Sequence, residues 1–153
     1  IVALCLLLGF MLGRKSKYEK RDYLKQFKIG KATYSESLIY EAYGGLQNDG
    51  IMLAVYYDVD AAKIIHQLDS WEKINDSPTI SSILKNVSSY FGLDFVIPEI
   101  ASGNFFLYDN SQHKELRSEA EMNTLLLHSE DVNFSLVVWD DEKHTIYIVE
   151  YRI

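Results

Sequence analysis

The chain closes with Asn133-Phe-Ser-Leu-Val-Val-Trp139, then Asp140-Asp141-Glu142-Lys143, then His144-Thr-Ile-Tyr-Ile-Val-Glu-Tyr151. Two runs rich in β-branched and aromatic residues flank four polar residues with turn chemistry, which is the pattern of a β-hairpin. Successive side chains of a strand point to opposite faces, so Phe134, Leu136 and Val138 share one face, and Val137 and Trp139 the other. Both rows are apolar. A hairpin with one wet face would alternate apolar with polar, so this one belongs in the middle of a sheet covered on both sides. The expected fold class is α+β, an antiparallel or mixed sheet with a C-terminal β-hairpin packed against two to four helices.

Upstream segments supply candidate layers. Ser77 can cap a helix with Pro78 at its first position, running Thr79–Phe91 and stopped by Gly92. Ile80, Ile83, Leu84, Val87 and Phe91 form its apolar stripe. Glu119–His128 reads as a second helix, and Ile51–Tyr57 as a buried strand after the turn Asn48-Asp49-Gly50. Short strands are expected at Phe95–Ile97 and Asn104–Tyr108, separated by a loop with Pro98 and Gly103. Asp60 to Trp71 looks helical, with Ile64, Ile65 and Leu68 inward. Residues 34–43 (YSESLIYEAY) place Leu38, Ile39, Ala42 and Tyr43 on one helical stripe, and Gly44-Gly45 would end that helix. There is no internal repeat or low-complexity tract.

The N-terminus has a different character. Ile1 to Gly13 carries no charge, and Arg14, Lys15, Lys17, Lys20, Arg21, Lys25, Lys28 and Lys31 follow at once. A membrane-crossing helix needs about twenty apolar residues, so residues 1–13 are expected to be part of a transmembrane anchor cut within a longer apolar segment. A cleaved signal would place its positive charge before the apolar core and end in an A-x-A-like site, whereas here Arg14-Lys15 follows Gly13. Basic residues close to a span tend to stay inside the cell, so the single-pass protein is expected to hold its domain on the cytoplasmic side of the cell membrane. Residues 14–31 then form a basic juxtamembrane segment. Arg14, Lys15, Lys17, Lys20 and Arg21 suit anionic lipid headgroups, each worth about 1 kcal/mol near the surface. The interleaved Tyr18, Tyr23, Leu24, Phe27 and Ile29 would let a helix lie along that interface.

Residues 32–153 have the size of a single domain, and an acidic one. Residues 14–31 hold eight basic and two acidic groups, net +6; residues 32–153 hold seven basic and twenty acidic, net −13, together the −7 of the chain. Such a domain repels phosphate backbones, so nucleic acid is not an expected partner. The one cysteine, Cys5, lies in the apolar segment, which leaves the domain with neither disulfide nor Cys-based zinc site.

Leu53-Ala-Val-Tyr-Tyr-Asp58-Val-Asp60, an apolar strand ending in D-x-D, resembles the first motif of haloacid-dehalogenase-type phosphotransferases. Leu136-Val-Val-Trp-Asp140-Asp141 resembles that family's metal-binding acidic motif. The resemblance implies a parallel doubly wound sheet, Asp58 as nucleophile, Asp60 as general acid/base and a Mg²⁺ bridging the phosphate. The chain departs from the pattern at Ala61-Ala62, where the family carries Thr or Val. It also has no phosphate-binding Ser/Thr strand near Asn48 to Gly50, and its last acids fall in a hairpin turn.

Other chemistry finds no motif. His66, His113, His128 and His144 make no H-E-x-x-H or H-x-H pair, though His66 shares a helical face with Asp69. No Walker loop, G-x-G-x-x-G or G-x-S-x-G occurs. Tyrosines are abundant, and Tyr40, Tyr43, Tyr56 and Tyr57 are candidates for a partner surface, since Tyr is enriched at interfaces. The expectation is a membrane-anchored, non-enzymatic bacterial protein that binds an unknown protein partner and needs no cofactor. Immunity-type, sensor and assembly-subunit roles all fit it. The competing expectation is a metal-dependent phosphohydrolase built on Asp58, Asp60, Asp140 and Asp141.

Overall fold

The structure, a computed structural model, describes residues 23–44, 49–74, 77–92, 99–127 and 132–152. Its seven strands are β1 (Glu36–Gly44), β2 (Asp49–Tyr57), β3 (Glu72–Lys73), β4 (Gly103–Asp109), β5 (Lys114–Leu116), β6 (Asn133–Asp140) and β7 (Thr145–Arg152). They form one sheet in the order β1-β2-β7-β6-β4-β3, with β5 also paired to β4. Every pairing is antiparallel. The C-terminal hairpin is central, as its two apolar faces require, with Leu136 opposite Val149 and Val137 opposite Ile148.

Each face carries its own core. On the first face Leu53, Val55, Phe105, Leu107, Leu136, Val138 and Val149 pack with Ile80, Ile83, Leu84, Val87 and Met122. The latter come from α3 (Pro78–Tyr90) and α4 (Glu119–Leu127). Ser77 caps α3 as its sequence implies, accepting a hydrogen bond from the Ile80 N–H at 3.2 Å. Gly92, at φ 58°, ends that helix in the left-handed region. Ser118 and Glu121 form a capping box on α4: Ser118 Oγ accepts from the Glu121 N–H at 3.3 Å, and Glu121 Oε2 from the Ser118 N–H at 3.2 Å.

On the second face Met52, Ala54, Val137, Trp139, Ile146 and Ile148 are covered by Tyr23, Leu24, Ile29, Ile64, Leu68 and Trp71. The cover is built from short pieces, α1 (Tyr23–Gln26), a 3₁₀ turn (Ala61–Lys63) and α2 (Ile65–Leu68). Only α3 and α4, among the described residues, are helices of more than one turn.

Three expectations need correction. Residues 36–44 are strand β1, not a helix, because they pair along their length with β2 from Glu36–Tyr57 to Gly44–Asp49. The long helix expected from Asp60 to Trp71 is broken: Asp60 caps the 3₁₀ turn, and Ile65 is exposed instead of facing inward. Tyr23, Leu24 and Ile29 lie in the second core at 1–4% exposure, so they face the protein and not a lipid surface. The folded unit thus takes in residues ahead of 32. No described helix is long and apolar enough to cross a membrane. Residues 1–13, Arg14, Lys15, Lys17, Lys20, Arg21 and the expected strand Phe95–Ile97 lie outside the described residues.

Gly103 opens β4 for a steric reason. A Cβ built there would sit 1.9 Å from the Trp139 carbonyl oxygen, so only glycine lets β4 lie against β6 at that point.

Candidate functional site

The four aspartates lie at the same end of the sheet. The Val59 N–H donates to the His144 carbonyl at 2.8 Å, which sets the D-x-D segment beside the β6–β7 turn, and the Asp141 N–H donates to the Ser102 carbonyl at 3.0 Å. Each carboxylate nonetheless has a local structural duty. Asp58, exposed and at φ 52°, accepts from the Ser35 hydroxyl. Asp60 Oδ1 accepts from the Ala62 N–H at 3.1 Å, capping the 3₁₀ turn. Asp141 Oδ1 accepts from Trp139 Nε1 at 3.2 Å. Asp140 is 2% exposed, and its Oδ1 accepts from the Glu142 and Lys143 N–H groups at 3.1 Å each.

A second turn repeats the Asp140 device. Asp109 Oδ1 accepts from the Ser111 N–H at 2.9 Å and the Gln112 N–H at 3.0 Å. Four residues after each aspartate a histidine takes the left-handed conformation, His113 at φ 54° and His144 at φ 49°. Asp140 and His144 are therefore the two ends of a hairpin turn. Among the described residues, no three His, Cys, Asp or Glu side chains come together as a group able to hold a metal. The sheet is antiparallel throughout, whereas the dehalogenase resemblance implies a parallel doubly wound one. His128 lies outside the described residues.

A cleft of about 260 Å³ opens between the β4–β5 turn and α4, lined by Asp109, Ser111, Lys114, Leu116, Glu121 and Leu125 among others. Its charges are engaged within it: Lys114 pairs with Glu121, whose carboxyl is held at about 2 by that contact and by the Arg117 and Ser118 N–H groups.

The four candidate tyrosines divide by face and depth. Tyr56 is 4% exposed, a second-core residue under the ring of Tyr34 at 4.9 Å, so it is no partner contact. Tyr57 and Tyr40 are half-buried on the first face, where Tyr40 meets the ring of Phe91 at 5.9 Å. Burial raises the Tyr57 hydroxyl pKa, with Tyr40 and Glu36 adding to it. Tyr43 is 46% exposed on β1, and the same strand exposes Ile39, with Tyr34 just ahead of it. Ile39 and Tyr34 escaped the sequence reading because a helical stripe turns Ile39 inward. On a strand, Leu38, Tyr40 and Ala42 take the sheltered row, and Ile39, Glu41 and Tyr43 the open one.

β1 is the sheet edge, and the two edges are built differently. The far edge is shared by two-residue β3 and three-residue β5, and Arg117 bridges them by contacting Glu72 at 3.2 Å and Glu115 at 2.7 Å. Short strands and charges are how natural sheets blunt an edge. β1 is long, and its charges are two acids, Glu36 and Glu41. Its nine residues contain no Lys, Arg or Pro, and its register with β2 runs without a bulge. The segment 32–62 that holds this hairpin carries five acids (Glu36, Glu41, Asp49, Asp58, Asp60) and no base.

Comparison with known protein families, with characterised proteins and with solved structures gives no match to this chain.

Proposed function

We propose that this chain is a membrane-tethered, non-enzymatic binding module that recruits a protein partner to the acidic hairpin β1–β2. One observation carries the reading: Ile39 and Tyr43 are exposed on a long edge strand without Lys, Arg or Pro, and Tyr34 is exposed just ahead of it. The charge of segment 32–62, five acids without a base, favours a basic partner and disfavours lipid headgroups and nucleic acid. The uncharged residues 1–13 and the basic residues behind them support a tether, with the domain on the cytoplasmic side.

The test is co-purification of the full chain from solubilised membranes of the cells that carry it, beside a variant with Ile39→Ser and Tyr43→Ser. Both side chains are exposed, so the variant keeps its fold. A protein retained by the wild type and lost from the variant is the expected result. Identical retention by both, or recovery of the full chain in the soluble fraction, overturns the corresponding half of the proposal.

A further inference from the structure

We propose that the partner binds by strand addition: an extended segment bearing Lys or Arg pairs its backbone with the outer edge of β1. The inference rests on the binding reading above and specifies its mode. An edge strand turns every second N–H and C=O away from its neighbour, and in β1 these groups run along nine residues with no strand beyond them among the described residues. Main-chain pairing of this kind supplies affinity, while the side chains on either row supply specificity.

The rows on β1 say what the guest must carry. Glu36, Leu38, Tyr40 and Ala42 face the first core, with Phe91 beyond Tyr40 and exposed Tyr90 after it. Ser37, Ile39, Glu41 and Tyr43 face the other way. Glu36 and Glu41 are five positions apart and so lie on opposite faces. A guest with cations five positions apart meets one carboxylate on each face, and apolar side chains between them meet Tyr40 on one side and Ile39 and Tyr43 on the other. A second copy of this chain is a poor guest, because two such hairpins would bring five acids from each side to one junction.

The probe is a synthetic peptide as long as β1, blocked at both ends, with lysines five positions apart among valine and threonine. Two further peptides carry N-methyl groups on alternate amides, one on each edge. With unaltered protein, the parent peptide is expected to slow hydrogen exchange at alternate amides of Glu36–Gly44. One N-methylated peptide binds at least about tenfold more weakly, and the other binds as the parent does. Glu36→Lys weakens the lysine peptide and strengthens its glutamate analogue. Equal binding by both methylated peptides overturns strand addition while leaving partner binding through side chains in place. No binding of the parent, with the co-purified partner still lost on Ile39→Ser and Tyr43→Ser, overturns the basic-strand inference alone.

Discussion

Glu119, at the start of α4, seats its carboxylate on the N-terminus of α3: Oε1 accepts the Thr79 N–H at 2.9 Å, and Oε2 accepts the Ser77 hydroxyl at 2.8 Å. The two helices of the first face are thus joined start to start, with a negative charge where the helix dipole favours one. Burial raises the Glu119 pKa, but the hydrogen bonds from Thr79 and Ser77 outweigh it and hold the carboxyl below its ordinary value. A carboxyl lowered on folding stabilises the fold above the unfolded pKa, and that contribution is lost as pH falls through the folded one. Glu119→Gln is therefore expected to cost about 1 kcal/mol at neutral pH and less in acid, read from urea midpoints at both. A cost that does not shrink in acid would show that the charge plays no part.

The left-handed histidines make a sharper local case. A non-glycine residue in that region costs about 1–2 kcal/mol, partly offset because glycine gives up more freedom on folding. His113 lies at φ 54° and, among the described residues, has no ring contact like that of His144, whose ring lies 5.7 Å from Trp139. His113→Gly is expected to stabilise by about 0.5 kcal/mol, and His113→Val to destabilise by more than about 1 kcal/mol. Thermal midpoints in the reverse order would mean that the turn relaxes out of the left-handed conformation.

Where the sequence was legible, the signals were local. Ser77-Pro78 and Gly92 mark both ends of α3, and the hairpin β6–β7 announces its two-sided burial through Val137 and Trp139. The helix expected at Glu119–His128 is α4, although the box Ser118-x-x-Glu121 that starts it was not part of that expectation. β1 was not, because Leu38, Ile39, Ala42 and Tyr43 satisfy a helical stripe as well as they fit a strand. Only pairing with β2 decides between them, and that is a tertiary fact. The same limit hid the open edge, since exposure of Ile39 follows from the strand. It also hid the roles of Asp58, Asp60, Asp140 and Asp141, whose turn and cap bonds depend on where each strand stops.

Buried phenols set the alkaline limit of the fold. Burial and the 2.6 Å hydrogen bond to Glu41 push the Tyr23 hydroxyl far above its ordinary range, and burial with nearby Asp140 raises Tyr147. A phenol raised on folding stabilises the protein fully below about pH 10, the unfolded value, and loses that contribution as pH rises toward the folded value. Stability is thus expected to hold to about pH 10 and then fall, with Tyr23 and Tyr147 ionising only as the chain unfolds. Tyr23→Phe should cost about 1 kcal/mol at neutral pH and flatten the alkaline decline. Phenolate absorbance followed beside circular dichroism checks it; ionisation of all tyrosines before any unfolding is the contrary result.

The buried placement of Tyr23, Leu24 and Ile29 bears on where the domain can be cut free from the residues ahead of it. A chain beginning at Ala32 has the composition of a complete acidic domain, yet it lacks three side chains that lie at 1–4% exposure over Met52, Ala54 and Ile148. It also loses the Gln26 amide that donates to Glu150, a carboxylate only 4% exposed, at 2.7 Å. Each lost apolar side chain is worth about 1.5–3 kcal/mol of burial, so removal of all three costs about 5 kcal/mol or more, comparable to the whole stability of a small domain. A chain beginning at Asp22 keeps all of these contacts. The expected outcome is cooperative unfolding by the longer chain, and aggregation or a non-cooperative transition by the shorter one, in urea titrations followed by tryptophan fluorescence. Equal midpoints for the two would mean that residues 23–29 add no stability to the second core, and that a soluble domain can be cut free at residue 32.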